Sequence, residues 1–146
     1  MDRDLIDAKL ESLRRCVRRL ESKQPTSPEQ LQSNLDLQDI VVLNLERSVQ
    51  TCVDIALHLL SDMDDAIAPP ASMAEAFRTL QRGGIIDSPC ASRMVKAVGF
   101  RNTAVHAYRE IDYDIVYSIL TKHLDDFRSF AEQVVLYIEN TIGQDP

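Results

Sequence analysis

Apolar residues recur along this chain about every 3.6 positions, which is the spacing of one face of an α-helix. Five stretches follow this pattern, and clusters of Gly, Pro and Ser separate them. The predicted helices begin near residues 4, 37, 73, 88 and 112, and the second and fifth of them are long. No stretch alternates as a strand does. The pattern therefore predicts an all-α fold, an up-and-down helical bundle of about five helices, with residues 1–146 as one domain.

Polar residues at the ends of these stretches support the predicted boundaries. The second helix is expected from about Leu37 to Asp62. Ser27-Pro28-Glu29-Gln30 and Ser72-Met73-Ala74-Glu75 both have the form of a capping box, with a hydroxyl followed three residues later by Glu or Gln. The first predicts a short helical turn, and the second predicts the helix that stops at Gly83-Gly84.

Charge changes the picture because it is unevenly distributed. The whole chain carries a net charge of −7, which argues against a nucleic-acid partner. Residues 76–109, however, carry +5, since Asp87 alone opposes six basic side chains: Arg78, Arg82, Arg93, Lys96, Arg101 and Arg109. One interpretation is a local site for RNA phosphates, and we predict that all of these residues except Arg101 bind the substrate. The alternative is that they are simply solvated helix faces.

The richest chemistry lies in Arg101-Asn102-Thr103-Ala104-Val105-His106-Ala107-Tyr108. Arginine binds phosphate oxygens through a planar guanidinium, and histidine exchanges protons near pH 7. These are the minimal groups for cleaving a phosphodiester without a metal ion. We predict that His106 is a general base toward an RNA 2′-hydroxyl, that Arg101 holds the scissile phosphate, and that Asn102 assists.

The spacing of Arg101 and His106 poses a geometric problem. On a regular helix, positions five apart point about 140° away from each other. Either the helix loosens near His106, or a second copy of the chain completes the site across a two-fold axis. The sequence leaves both alternatives open.

Asp54 and His58 lie four residues apart on the long second helix. Two ligands are too few for a metal site, and the chain lacks the usual zinc spacings, so no metal or cofactor is expected. A hydrogen-bonded polar face is the preferred interpretation, in which Asp54 reaches the active-site histidine as an orienting carboxylate and His58 is structural. No apolar run reaches the length of a membrane span and no targeting segment is visible, so a cytoplasmic protein is expected.

Arg101 to Tyr108 resembles the R-x4-H-x-Y motif of HEPN-domain proteins of the HepT type, the ribonuclease toxins of HEPN/MNT toxin–antitoxin modules. Other segments of the chain also resemble segments of this family. They are Cys52-Val53-Asp54-Ile55-Ala56-Leu57-His58-Leu59 in the second predicted helix, Phe77-Arg78-Thr79-Leu80, Gly99-Phe100, and Ile111-Asp112-Tyr113. The resemblance covers nearly the whole chain.

This resemblance implies a metal-independent endoribonuclease that works as a homodimer or higher oligomer, with Arg101 and His106 as catalytic residues. It also implies a partner, a minimal nucleotidyltransferase antitoxin that transfers AMP from ATP to the motif tyrosine, here Tyr108. Added negative charge would then repel the RNA phosphate.

Two other hypotheses compete with the toxin. One is a catalytically silent helical module that only docks with a nucleotidyltransferase. The other is a generic helical dimerisation domain, in which replacing Arg101 or His106 would affect stability alone.

Overall fold

The computed structural model describes residues 2–63, 72–106 and 111–144, with the backbone alone for 103–106 and 142–144. The helices are α1 (Arg3–Ser22), α2 (Pro28–Ser33), α3 (Leu35–Ser61), α4 (Met73–Arg82), α5 (Ser88–His106), α6 (Tyr113–Lys122) and α7 (Leu124–Gln144). No strand occurs within those three ranges. The all-α prediction is confirmed, although the described residues form seven helices where about five were expected.

The predicted helix starts are present because their capping side chains are in place. Ser27 Oγ accepts from Gln30 N at 3.1 Å, and Ser72 Oγ accepts from Glu75 N at 3.1 Å. The helix α3 starts two residues earlier than predicted, where the Asn34 side chain accepts from Leu37 N at 3.0 Å. Each side chain satisfies a backbone N–H that a helix start leaves without a partner.

The prediction of a single fifth helix from about Asp112 was wrong. The chain leaves helical geometry at His123 (φ −126°, ψ 7°), whose N–H donates to Ile119 O at 2.9 Å and closes α6. The buried residues Val116 and Leu120 of α6 and Leu124 and Phe127 of α7 keep helical spacing across the break. Both helices bury the same face, so the apolar pattern does not reveal the boundary.

A single buried cluster joins the helices. It includes Leu13 of α1, Leu45 and Ile55 of α3, and Phe77 of α4. The Phe77 ring meets that of Phe130 in α7 edge to face, with centroids 5.6 Å apart. This arrangement is favourable for aromatic rings and fixes α4 against α7.

The turn between α4 and α5 determines where the motif lies. Gly84 has φ +77°, a left-handed conformation that glycine adopts without strain. The next N–H, that of Ile85, donates to Leu80 O at 2.9 Å and closes the end of α4. After this turn α5 packs along α4, so that Arg101, late in α5, lies beside Met73, the first residue of α4.

Candidate functional site

The Arg101 guanidinium is held at the interface of α4 and α5. Its Nη1 donates to Met73 Sδ at 3.4 Å, and its Nε is buried without a hydrogen-bond partner in the described part of the chain. A thioether is a weak acceptor, and a buried N–H with no acceptor is costly. Arg101 therefore makes no strong hydrogen bond within the described residues, and an anion such as phosphate would be a stronger acceptor for its Nη1 than the thioether.

The rest of the motif is only partly described. Asn102 is exposed on α5, and His106 is the last residue of that helix, with its backbone described. Tyr108 and Arg109 lie outside the described residues. Because α5 is helical from Arg101 through His106, the two positions lie on different faces of the helix, about 140° apart. The assigned backbone therefore contains no loosening before His106 of the kind that one of the two alternatives required.

Glu75 pairs with two of the predicted substrate-binding residues. Its Oε1 lies 2.7 Å from Arg82 Nη2 and its Oε2 lies 3.3 Å from Arg78 Nη1. Hydrogen bonds from Arg82 and then Arg78 hold the pKa of Glu75 below its ordinary value of 4.5. Glu75 stands one residue before the basic segment 76–109, so counting charge within that segment missed it.

Arg93 has a carboxylate partner as well. Its Nε lies 3.6 Å from Asp126 Oδ1, and the other oxygen of Asp126 lies 3.3 Å from His123 Nδ1. Lys96 and Arg101 differ from the other three, since no carboxylate of the described ranges is within 4.0 Å of either cation. The structure therefore divides the predicted basic patch into paired and unpaired cations.

Asp54 lies on the side of α3 that packs against α1. Its Oδ2 accepts from Lys9 Nζ at 3.2 Å, and its Oδ1 accepts from Gln50 Nε2 at 2.8 Å. Both oxygens already have donors, and the orienting role toward His106 stays a prediction. Asp54 and His58 both line a groove of about 320 Å³ between α1 and α3. The Nε2 of His58 is buried without a partner among the described residues. In those residues no cluster of three or more His, Cys, Asp or Glu could hold a metal ion.

A cavity of about 530 Å³ lies beside α5, and no pattern in the sequence predicted it. We call it the α5–α6 cavity. Its walls come from five parts of the chain and are mostly apolar, with a polar rim; among them are Leu45, Val49, Lys96, Phe100, Ile111, Ile115, Ser118, His123 and Phe127. Phe100 directly precedes Arg101, and Ile111 is the first residue described after the motif. Described residues before and after the motif in the sequence therefore both line the cavity.

A model of the family described as "Ribonuclease HepT-like" matches residues 11–134. The chain belongs to the HepT-like ribonuclease family. The match includes the cap at Ser72, the ion pairs of Glu75, all of α5 and the α5–α6 cavity.

Individual HepT-like proteins resemble the chain over most of its length. The mRNA nuclease HepT of Shewanella oneidensis is 34% identical over 131 residues, which are 90% of this chain and 96% of that protein. The tRNA nuclease HepT of Aphanizomenon flos-aquae is 25% identical over 134 residues, 92% and 90% of the two chains. A solved structure of the tri-AMPylated S. oneidensis HEPN toxin in complex with MNT antitoxin superposes with a TM-score of 0.83 at 33% identity, covering 93% of this chain and 99% of that one.

Within the described ranges, none of the helices combines the length and the apolar character needed to cross a membrane.

Proposed function

We propose that this chain is the endoribonuclease toxin of a toxin–antitoxin pair, and that it cleaves RNA through Arg101 and His106 without a metal ion. The observation that carries the proposal is the state of Arg101, whose buried Nε has no partner and whose Nη1 has a thioether as acceptor among the described residues. The nuclease names of two relatives and the solved toxin–antitoxin complex support the same activity.

The proposed chemistry uses only groups of the protein. Arg101 binds the non-bridging oxygens of the scissile phosphate and stabilises the charge that develops there. The His106 imidazole takes the proton of the 2′-hydroxyl, and the 2′-oxygen attacks phosphorus. The bond from phosphorus to the 5′-oxygen breaks, and that oxygen takes a proton from an acid. The products are a 2′,3′-cyclic phosphate and a 5′-hydroxyl.

A homodimer supplies the acid in this mechanism. Positions 101 and 106 lie on different faces of α5, so one chain presents Arg101 and His106 apart from each other. Two copies related by a two-fold axis can bring both motifs to one cleft. His106 of one copy then acts as base and the same residue of the second copy acts as acid, with Asn102 assisting.

The proposed regulation is AMPylation of Tyr108 by a nucleotidyltransferase antitoxin. The tyrosine oxygen attacks the α-phosphorus of ATP, pyrophosphate leaves, and the phenolic proton passes to solvent. The attached AMP places negative charge two residues from His106, where the RNA phosphate must approach. The tri-AMPylated state of the S. oneidensis toxin, solved with MNT antitoxin, supports this assignment.

Cleavage of total RNA in EDTA by the parent chain and by His106→Ala tests the proposal. The parent should cut without a divalent metal and arrest growth, and the variant should do neither. Tyr108→Phe should still cut but escape the antitoxin, and full suppression of that variant would refute the role of Tyr108. If the parent is silent while unmodified at Tyr108, the silent docking module becomes the better hypothesis.

A further inference from the structure

The α5–α6 cavity is lined by Phe100, the residue before Arg101, but has no part in the mechanism above. We propose that it binds the base of one nucleotide of the RNA substrate next to the cleaved bond, with Phe100 stacking on the base and Lys96 contacting its phosphate. This inference rests on the proposed function, and it assigns Phe100 and Lys96 as specificity-determining residues.

The size and the floor of the cavity suit a nucleobase. Its volume of about 530 Å³ lies within the range of small-ligand pockets. Leu45, Val49 and Phe127 of the floor are buried, so a planar ring can enter without displacing solvated polar groups. Phe100 is half-buried, which leaves part of its ring surface open to a ligand. Single-stranded RNA is commonly bound by stacking of unpaired bases on aromatic side chains.

The rim of the cavity can recognise the polar parts of a nucleotide. Ser118 and His123 offer hydrogen-bonding groups for a base edge. Arg93 and Asp126 also belong to the rim, but they neutralise each other at 3.6 Å. Lys96 is exposed and lies beyond ion-pairing distance of every described carboxylate, which makes it the rim cation available to a phosphate.

The position of these residues on α5 links the cavity to the reaction. Lys96 and Phe100 are one helical turn apart, so they share a face of α5. Arg101 follows Phe100 directly, and it lies about 7.5 Å along the helix axis and about 140° around it from Lys96. Lys96 therefore borders the cavity while Arg101 contacts α4, and the RNA strand would continue around α5 from the base in the cavity to the scissile phosphate at Arg101.

Ile115 allows the cavity to be narrowed with little effect on folding. Its side chain lines the cavity yet is 51% exposed. Leu136 on α7 is 59% exposed, does not line the cavity, and serves as a matched control. Ile115→Trp and Leu136→Trp thus make the same kind of change inside and outside the cavity, and circular dichroism should find both folded.

The first measurement maps cleavage sites in a pool of random RNA and determines KM and kcat on one cleaved sequence. We expect the wild type to prefer certain bases beside the cleaved bond. In Ile115→Trp this preference should flatten and KM should rise about fivefold or more, with kcat within about twofold. Phe100→Leu should change KM in the same direction by about threefold, because it removes the stacking surface. Wild-type behaviour of Ile115→Trp would overturn the inference.

The second measurement separates the cavity from the nuclease. The four nucleoside 5′-monophosphates are titrated into the chain while the NMR signals of Phe100 and Ile119, which both line the cavity, are followed. We expect saturable shifts that Ile115→Trp removes and Leu136→Trp retains. Shifts without any RNA cleavage would refute the proposed function alone. RNA cleavage without NMR shifts would refute the cavity assignment alone. The same holds if the shifts disappear when the protein concentration is raised and the chain self-associates, because a second copy then covers the cavity.

Discussion

The two ends of the basic segment between residues 78 and 101 have opposite electrostatic surroundings. Arg78 and Arg82 at one end share the carboxylate of Glu75. Lys96 and Arg101 at the other end are beyond 4.0 Å of any described carboxylate, and Arg101 has a methionine sulfur as its acceptor. A count along the sequence gives all four the same weight. The comparison shows that the charge available to a phosphate depends on which cations already have partners.

Under the proposed function, this difference explains how an acidic protein would attract RNA at one place. The chain carries −7 overall, and the carboxylates of Glu75 and Asp126 offset two of the positive charges of its most basic segment. Lys96 on the cavity rim and Arg101 next to α4 have no carboxylate partner among the described residues. Phosphate attraction is then concentrated near the motif.

The largest expected effect comes from replacing Arg101 by lysine. Lysine keeps the charge but loses the planar pair of donors that binds two phosphate oxygens. We expect kcat for RNA cleavage to fall about 100-fold or more, in line with the loss of one donor to a developing oxyanion. Single-turnover cleavage at saturating enzyme measures this.

Arg78→Lys is the matched control at the other end of the segment. Because Arg78 forms an ion pair with Glu75, the kcat of the Arg78→Lys variant should stay within about twofold of the wild-type value. Equal losses in Arg101→Lys and Arg78→Lys would remove the distinction between the two ends.

A smaller effect is expected from Glu75→Gln, which removes the difference between the two ends of the segment by leaving Arg78 and Arg82 without their carboxylate partner. It removes the negative partner and frees Arg78 and Arg82 for RNA. Affinity for a single-stranded RNA should rise severalfold at low salt, and the slope of log K against log salt should steepen by about 1. Fluorescence anisotropy across a salt series measures both quantities.

Glu132→Gln makes the same change of charge at an exposed position on α7 for which the described residues offer no ion pair. It controls for net charge. If it raised affinity as much as Glu75→Gln does, the gain would come from overall charge and not from release of the two arginines.

The smallest expected effect concerns pH. The pKa of Glu75 is lowered by its arginine partners, so the stability it contributes is present above the ordinary value of 4.5 and is lost as the pH falls through the lowered pKa. The RNA affinity of the wild type should therefore approach that of Glu75→Gln only below pH 4.5. Anisotropy titrations between pH 3 and 7 measure the ratio of the RNA affinities of the two proteins. Equal affinities near neutral pH would contradict the ion pairs of Glu75.

Much of the fold could be predicted because its signals are local. Apolar periodicity and the caps at Ser27 and Ser72 indicate helices that the structure contains. The break at His123 could not be predicted in the same way, because the buried residues on its two sides continue one helical pattern. His123, which ends α6, changes the path of the backbone without changing the spacing of the apolar residues on either side of it.

The candidate site was predicted less completely, for a physical reason. Arg101 and His106 belong to a continuous motif, which a sequence displays directly. The pair of Arg93 and Asp126 joins residues of α5 and α7, and the walls of the α5–α6 cavity come from five separate parts of the chain. Contacts between distant residues require the three-dimensional packing. The pairs of Glu75 were within reach, since helix spacing of three and seven residues relates it to Arg78 and Arg82.

The sulfur of Met73 bears on how readily Arg101 could exchange one acceptor for another. A carboxylate in that position would have to be displaced by the incoming phosphate, and breaking a partly buried ion pair would offset much of the free energy gained. A thioether gives up far less when its hydrogen bond is broken, yet its size and position keep the guanidinium aligned in the free protein. In the proposed mechanism, Met73 is thus an acceptor that orients the arginine in the free protein and that a phosphate would displace at little cost in free energy.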